Sequence, residues 1–175
     1  MKKVALAVVF TIVSLTVVSA QNYKWWAGGR TAFWAESAKG SQSGRVTAII
    51  APEVGYHLTN KFTLAASVGS YSYIYEDAND MHGLILNPYL RYNAFLKGNL
   101  LFFVDSGMEF GIGDIEGFQI GCKPGMDIFL SDRVTLAFQF GFAGYNDGNG
   151  IGGKNKGIGF DLSGYQSGFA LFYSF

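Results

Sequence analysis

From about residue 24 onward, apolar and polar side chains alternate. Leu84, Leu86, Pro88, Leu90 and Tyr92 interleave with Ile85, Asn87, Tyr89, Arg91 and Asn93. Leu100, Phe102, Val104, Ser106, Met108 and Phe110 interleave with Leu101, Phe103, Asp105, Gly107 and Glu109. Val134, Leu136, Phe138, Phe140 and Phe142 interleave with Thr135, Ala137, Gln139, Gly141 and Ala143. A period of two held this long specifies β-strands. No stretch after residue 20 keeps a period near 3.6. The pattern predicts eight strands, at 24–35, 46–58, 62–75, 84–96, 100–111, 117–130, 134–145 and 158–175. They exceed the ~5–6 residues of an ordinary strand and suit the ~9–11 that a tilted strand needs to cross a bilayer.

The connections alternate too. Thr59-Asn60-Lys61, Lys97-Gly98-Asn99 and Ser131-Asp132-Arg133 read as tight polar turns. Between them lie longer segments: 37–45, 76–83, 112–116 and 146–157. Short turns at one end and long loops at the other are the rhythm of an antiparallel up-and-down transmembrane barrel. Pro52, Pro88 and Pro124 recur 36 residues apart, each in a strand running toward a tight turn. Proline removes a ladder hydrogen bond, so a bulge and a bend are expected at that level in strands 2, 4 and 6.

Alternation by itself does not separate a membrane barrel, with its apolar face outward, from a soluble lipocalin-like carrier, with that face inward. Three features favour the membrane barrel. The face opposite the apolar one is rich in glycine (Gly28, Gly55, Gly69, Gly107, Gly121, Gly125, Gly141), as a narrow eight-stranded interior requires. Arg30, Glu53, Arg91, Asp105, Glu109, Lys123 and Asp127 fall on that same face. A charge on the lipid face costs up to ~2–4 kcal/mol at mid-bilayer. Enclosed instead in a narrow lumen, these three cations and four anions must pair, with Arg91 the natural hub, Asp105 on the next strand and Glu53 two strands away. Third, the chain finishes with Phe169, Leu171, Tyr173 and Phe175 on one face. Trp25, Phe33, Tyr56, Phe62, Tyr92 and Tyr173 lie near strand ends, where interfacial girdles form.

The first twenty residues differ from the rest. Lys2 and Lys3 precede an apolar run from Val4 to Val18, and Val18-Ser19-Ala20 offers small residues for cleavage. This reads as a secretory signal peptide, with 21–175 as a single barrel domain beginning at Gln21. No cysteine follows Ala20, which argues against a lipid anchor. Composition agrees: of 175 residues, 49% are hydrophobic and 15% charged, below the roughly 25% charge of soluble domains. Without Lys2 and Lys3, 11 basic side chains face 13 acidic ones. No basic stretch suits a phosphate backbone, so nucleic acid is not an expected partner. The lone Cys122 has no partner for an internal disulfide and reads as a small hydrophobe on the lipid face.

Little catalytic chemistry is visible. His57 and His82 are the only histidines. His57 precedes Leu58-Thr59, where threonine is a poor substitute for the serine of an outer-membrane lipid deacylase, and it lies at the wrong end of the barrel for that chemistry. The glycine runs at Gly111–Gly113 and Gly148–Gly153 precede no helix and therefore form no phosphate cradle. Asp77, Asn79 and Asp80, or Asp147 and Asn149, fall short of a calcium loop. No cofactor or metal is expected.

The strings Val54-Gly55-Tyr56-His57-Leu58-Thr59-Asn60-Lys61, Pro88-Tyr89-Leu90-Arg91-Tyr92 and Lys123-Pro124-Gly125-Met126-Asp127-Ile128-Phe129-Leu130-Ser131-Asp132 resemble the small outer-membrane β-barrel domain family of Gram-negative bacteria, of the OmpA/OmpX type. The resemblance covers nearly all of 21–175. It implies the fold and a location in the outer membrane, with lipid and the barrel assembly machinery as partners, and the C-terminal strand looks like that machinery's recognition signal. It implies no single activity and no catalytic residues. The expectation is a non-enzymatic barrel with a plugged polar lumen. A small-solute channel, a surface adhesin acting through its loops and a soluble periplasmic carrier are the alternatives.

Overall fold

A computed structural model describes residues 23–36, 45–75, 79–147, 156–162 and 168–175. The expected signal segment 1–20, the cleavage site before Gln21, and most of the first and last long loops lie outside the described residues.

The chain folds into a closed antiparallel barrel of eight strands. β1 (Trp25–Glu36), β2 (Arg45–His57), β3 (Phe62–Tyr75), β4 (Met81–Lys97), β5 (Leu100–Gly113) and β6 (Gly117–Phe129) follow one another as neighbours. The seventh strand is divided into β7 (Val134–Gln139) and β8 (Phe142–Asn146), the eighth into β9 (Gly157–Asp161) and β10 (Gly168–Ser174). β10 pairs with β1 in the register Trp26↔Ser174 and closes the ring. Backbone bonds between Trp25 and Phe175 extend that seam, with Phe175 N donating to Trp25 O at 2.9 Å. Over Trp26–Gly29 this seam removes the edge that each terminal strand would otherwise expose.

The strand reading needs corrections in four places. First, the seventh strand does not run straight from 134 to 145. Gly125 faces Gln139, but Cys122 faces Ala143, so one extra residue sits at Phe140-Gly141. Gly141 has φ 71° there, a left-handed conformation that glycine adopts without steric cost. The extra residue reverses the alternation, and Phe142, expected outside, is buried inside. Second, a bulge lies in β4 between Asn93 and Phe95. Third, the β5–β6 connection is not a long loop. It is only Asp114-Ile115-Glu116, and Ile115 is buried against Ile85, with Tyr71 and Met81 packed alongside. Fourth, the prolines do not each create a bulge. Pairing lapses beside Pro52 and Pro88 and resumes in unchanged register. Only Pro124 lies opposite a bulge, its carbonyl accepting from Phe140 N at 2.8 Å.

The inner glycines are sockets for inner aromatic rings. A Cβ on Gly55 would stand 2.2 Å from the Trp26 indole, one on Gly69 2.5 Å from Tyr71 Cε2, and one on Gly125 2.2 Å from Phe103 Cζ. Trp26 also packs on Phe172, ring centroids 4.2 Å apart. Strand propensity favours valine over glycine, yet Gly125→Val is expected to destabilise the barrel. The new Cβ would also lie 2.5 Å from the Phe138 carbonyl oxygen, which is backbone and cannot rotate away. Overpacking of this kind costs about 1–3 kcal/mol. The loss would be read as a lower temperature for the folded-to-unfolded shift in gel migration. Unchanged or higher stability would show that Phe103 is not lodged against Gly125.

Candidate functional site

Alternation assigns the faces, and register assigns the neighbours. Arg30, Glu53, Arg91, Asp105, Glu109, Lys123 and Asp127 all point into the barrel, with Glu53, Arg91, Asp105 and Asp127 buried. Their hydrogen bonds fall into three groups.

The first is centred on Arg91. Its Nε donates to Asp105 Oδ1 at 2.7 Å and its Nη2 to Asp105 Oδ2 at 2.9 Å. This is the bidentate geometry that guanidinium and carboxylate planes favour. Register makes it direct, since Arg91 and Asp105 are cross-strand partners. Nη1 reaches across to Asp127 Oδ2 at 3.1 Å. The guanidinium lies over the Phe103 ring, 3.6 Å from its centroid, so the cation is held by an aromatic face as well as by two anions. Gln139 Nε2 donates to Asp105 Oδ2 at 2.7 Å.

The second group is Glu53, which accepts from the Tyr89 hydroxyl and from Arg30 Nη2 at 3.5 Å. The expectation that Arg91 would hold Glu53 is therefore corrected: its second carboxylate is Asp127. Tyr89, one inward position from Arg91 on β4, takes Glu53 instead. The third group is Glu109, which accepts from Lys123 Nζ at 2.5 Å and from Gln119. Lys123 is the cross-strand partner of Asp105 but bonds Glu109, because both Asp105 oxygens are already held. Each carboxylate thus meets at least one donor, the condition for keeping a charge in a confined interior.

Between the first and third groups lies a cavity of about 20 Å³, room for a single water. Gln119, whose Oε1 has no partner among the described residues, lines it.

The histidines sit apart from these groups. His57 Nδ1 is 2.7 Å from Thr63 Oγ1, and Thr63 is fully buried. Thr59, the residue first compared with a nucleophile, instead accepts from the Lys61 and Phe62 amides and shapes the turn. His82 is exposed, with its Nδ1 3.1 Å from Ser72 Oγ. Among the described residues no group of His, Cys, Asp and Glu could hold a metal ion. Cys122 lies beside Ser106 on the outer face, Sγ 3.3 Å from Oγ.

Among the described strand residues that outer face carries no Asp, Glu, Lys or Arg except Lys97, the last residue of β4, at the turn end. Ile50, Val54, Leu64, Val68, Leu84, Leu90, Ile120 and Leu171 stand exposed on it. At the turn end the belt becomes aromatic: Trp25 lies 4.7 Å from Tyr56, Phe62 5.4 Å from Tyr92, and Phe95 4.5 Å from Phe102, ring to ring. Tyr173 and Phe175 are exposed there. The side chain of Phe33, expected at the opposite girdle, lies outside the described residues. The search of known proteins matches no family model, no curated protein and no solved structure.

Proposed function

We propose that the chain is an integral outer-membrane β-barrel of the small OmpA/OmpX type, exported by residues 1–20, with a plugged lumen and no enzymatic activity. Its role is structural or is carried by its loops. One observation carries this reading: the barrel is apolar outside and ion-paired inside. In water, the exposed apolar belt would be an aggregation surface far beyond the few-hundred-Å² patches that soluble monomers tolerate. In lipid, the same belt is the matching surface, and a closed sheet satisfies every backbone group. A soluble lipid carrier needs an apolar lumen, whereas this one is lined by Arg91, Asp105, Asp127 and their partners. The packed interior also supports a barrel that conducts poorly.

The reading predicts a sidedness. In a Cys122→Ala background, a cysteine at Asn79 is expected to react with an impermeant maleimide on intact cells. Cysteines at Asn60, Gly98 or Asp132 are expected to react only after the outer membrane is breached. Gly40 and Asn149, outside the described residues, are expected to label like Asn79. Labelling in the reverse order would invert the orientation. Release of the wild-type protein by osmotic shock without detergent would refute the membrane reading altogether.

A further inference from the structure

We infer that the turn end of the barrel carries a ring of four cations that binds the headgroups of anionic phospholipids in the adjacent leaflet. The inference rests on the membrane reading above and adds a lipid class to it.

The ring follows from spacing and topology together. Lys61, Lys97 and Arg133 lie 36 residues apart, each nine residues after one of the repeating prolines. Lys61 sits between β2 and β3, Lys97 at the end of β4, and Arg133 between β6 and β7. Lys24 immediately precedes β1. Every connection at this end therefore carries one cation, two strands from the next, around the whole eight-stranded circumference. All four are exposed, and Asp132 is the one acidic side chain among the described residues there. The other end has the opposite sign. Asp80, Asp114 and Glu116 are exposed there and Asp147 is half-buried, against Lys156 among the described side chains.

The ring lies just beyond the aromatic girdle, since Lys24 precedes Trp25 and Lys61 precedes Phe62. Long basic side chains at such a level place their stems along apolar surface and their charge among phosphates. Arg133 is the best-built position. Its Nε donates to the Tyr23 hydroxyl at 3.0 Å and its Nη1 to the Tyr173 hydroxyl at 2.9 Å. Two phenols thus fix the guanidinium plane while Nη2 has no partner among the described residues. A planar cation held at the headgroup level, with N–H groups to spare, is suited to phosphate oxygens. Charge repeated at every connection attracts a surface of negative charge rather than a single ion.

The test uses the full mature chain refolded in bilayers of phosphatidylglycerol and phosphatidylcholine. Retained lipid is counted by native mass spectrometry after gentle detergent extraction. Wild type is expected to retain phosphatidylglycerol several-fold over phosphatidylcholine, and the preference should fall at high salt. The Lys61→Gln, Lys97→Gln, Arg133→Gln triple variant should bring the ratio to parity, while Lys156→Gln at the loop end leaves it unchanged. Gel migration reports whether each barrel has formed. If Arg133→Gln prevents folding, the Lys61→Gln, Lys97→Gln double variant should still lose a large part of the preference. No preference in wild type, or an undiminished one in a folded variant, overturns the ring and leaves the membrane reading standing. Abolition by millimolar inorganic phosphate would also overturn it, since that marks a free-anion site. A chain that stays in solution and enters no bilayer overturns both.

Discussion

Arg91→Ala is expected to be the most destabilising single change in the lumen. The side chain satisfies both oxygens of Asp105 and reaches Asp127. Its removal leaves two buried carboxylates with, among the described residues, only the Gln139 amide as a side-chain donor to either. Breaking a buried ion pair from one side costs about 3–5 kcal/mol, and loss of the stacking on Phe103 adds to it. Water entering the vacated space would reduce the figure. The measurement is the temperature at which the barrel shifts to unfolded migration, with planar-bilayer conductance alongside. A large drop in that temperature with at most a small new conductance is expected. A compensating Arg91→Met, Asp105→Asn, Asp127→Asn variant should recover much of the loss, because it removes the stranded charges as well as the cation. If Arg91→Ala melts like wild type, or wild type itself conducts steadily, the plugged-lumen account is wrong.

Phe175→Asp, or deletion of Phe175, is expected to abolish assembly in cells while sparing the barrel in vitro. The Phe175 side chain is 57% exposed on the outer face, so folding into detergent loses little packing when it changes. Its backbone, which donates to Trp25, keeps that bond in the aspartate variant. In cells, the alternating Phe169, Leu171, Tyr173 and Phe175 face is the proposed mark read by the assembly machinery. Phe175→Asp should then leave the chain in the periplasm, open to proteolysis. Comparing membrane fractions with refolding yields separates the two roles. Equal loss in both would assign Phe175 to closing the sheet, and normal assembly in cells would remove it from the signal.

Much of this architecture was legible because a strand has only two faces. Once Arg91 was set opposite Leu90, the side on which it would lie was settled, and the same holds for the other six luminal charges. What alternation leaves open is height. Which inward residues share a level depends on how each strand is staggered against the next, and the pattern of apolar positions is blind to that. Asp105 was legible as a partner because it is on the adjacent strand. Asp127 was not, because it lies two strands from Arg91, as Glu53 does on the other side, and the stagger decides which of the two comes level with it. The inversion at Phe142 was missed for a related reason. One added residue at Phe140-Gly141 flips everything beyond it, and the only local sign was Gly141 inside a run that otherwise read as continuous strand. The aromatic sockets do carry a sign in the sequence: Gly55, Gly69 and Gly125 share a face with Trp26, Tyr71 and Phe103. The short β5–β6 turn was obscured because Ile115 reads as a loop residue until Ile85 is placed beneath it.

The seam between β1 and β10 sets the order in which the barrel can be made. Every other junction in the first six strands joins sequence neighbours, so each hairpin can form as soon as its own turn does. The Trp26↔Ser174 pairing joins residues from opposite ends of the folded chain, and the loop it closes is the longest available. Contacts of that range come late and slowly. Until they form, the sheet is an open ribbon with two bare edges, and its buried charges face water or each other without an enclosing wall. The seam therefore acts as a clasp: the lumen described above exists only after the last strand docks, and any agent that delivers β10 to β1 controls the rate of the whole process.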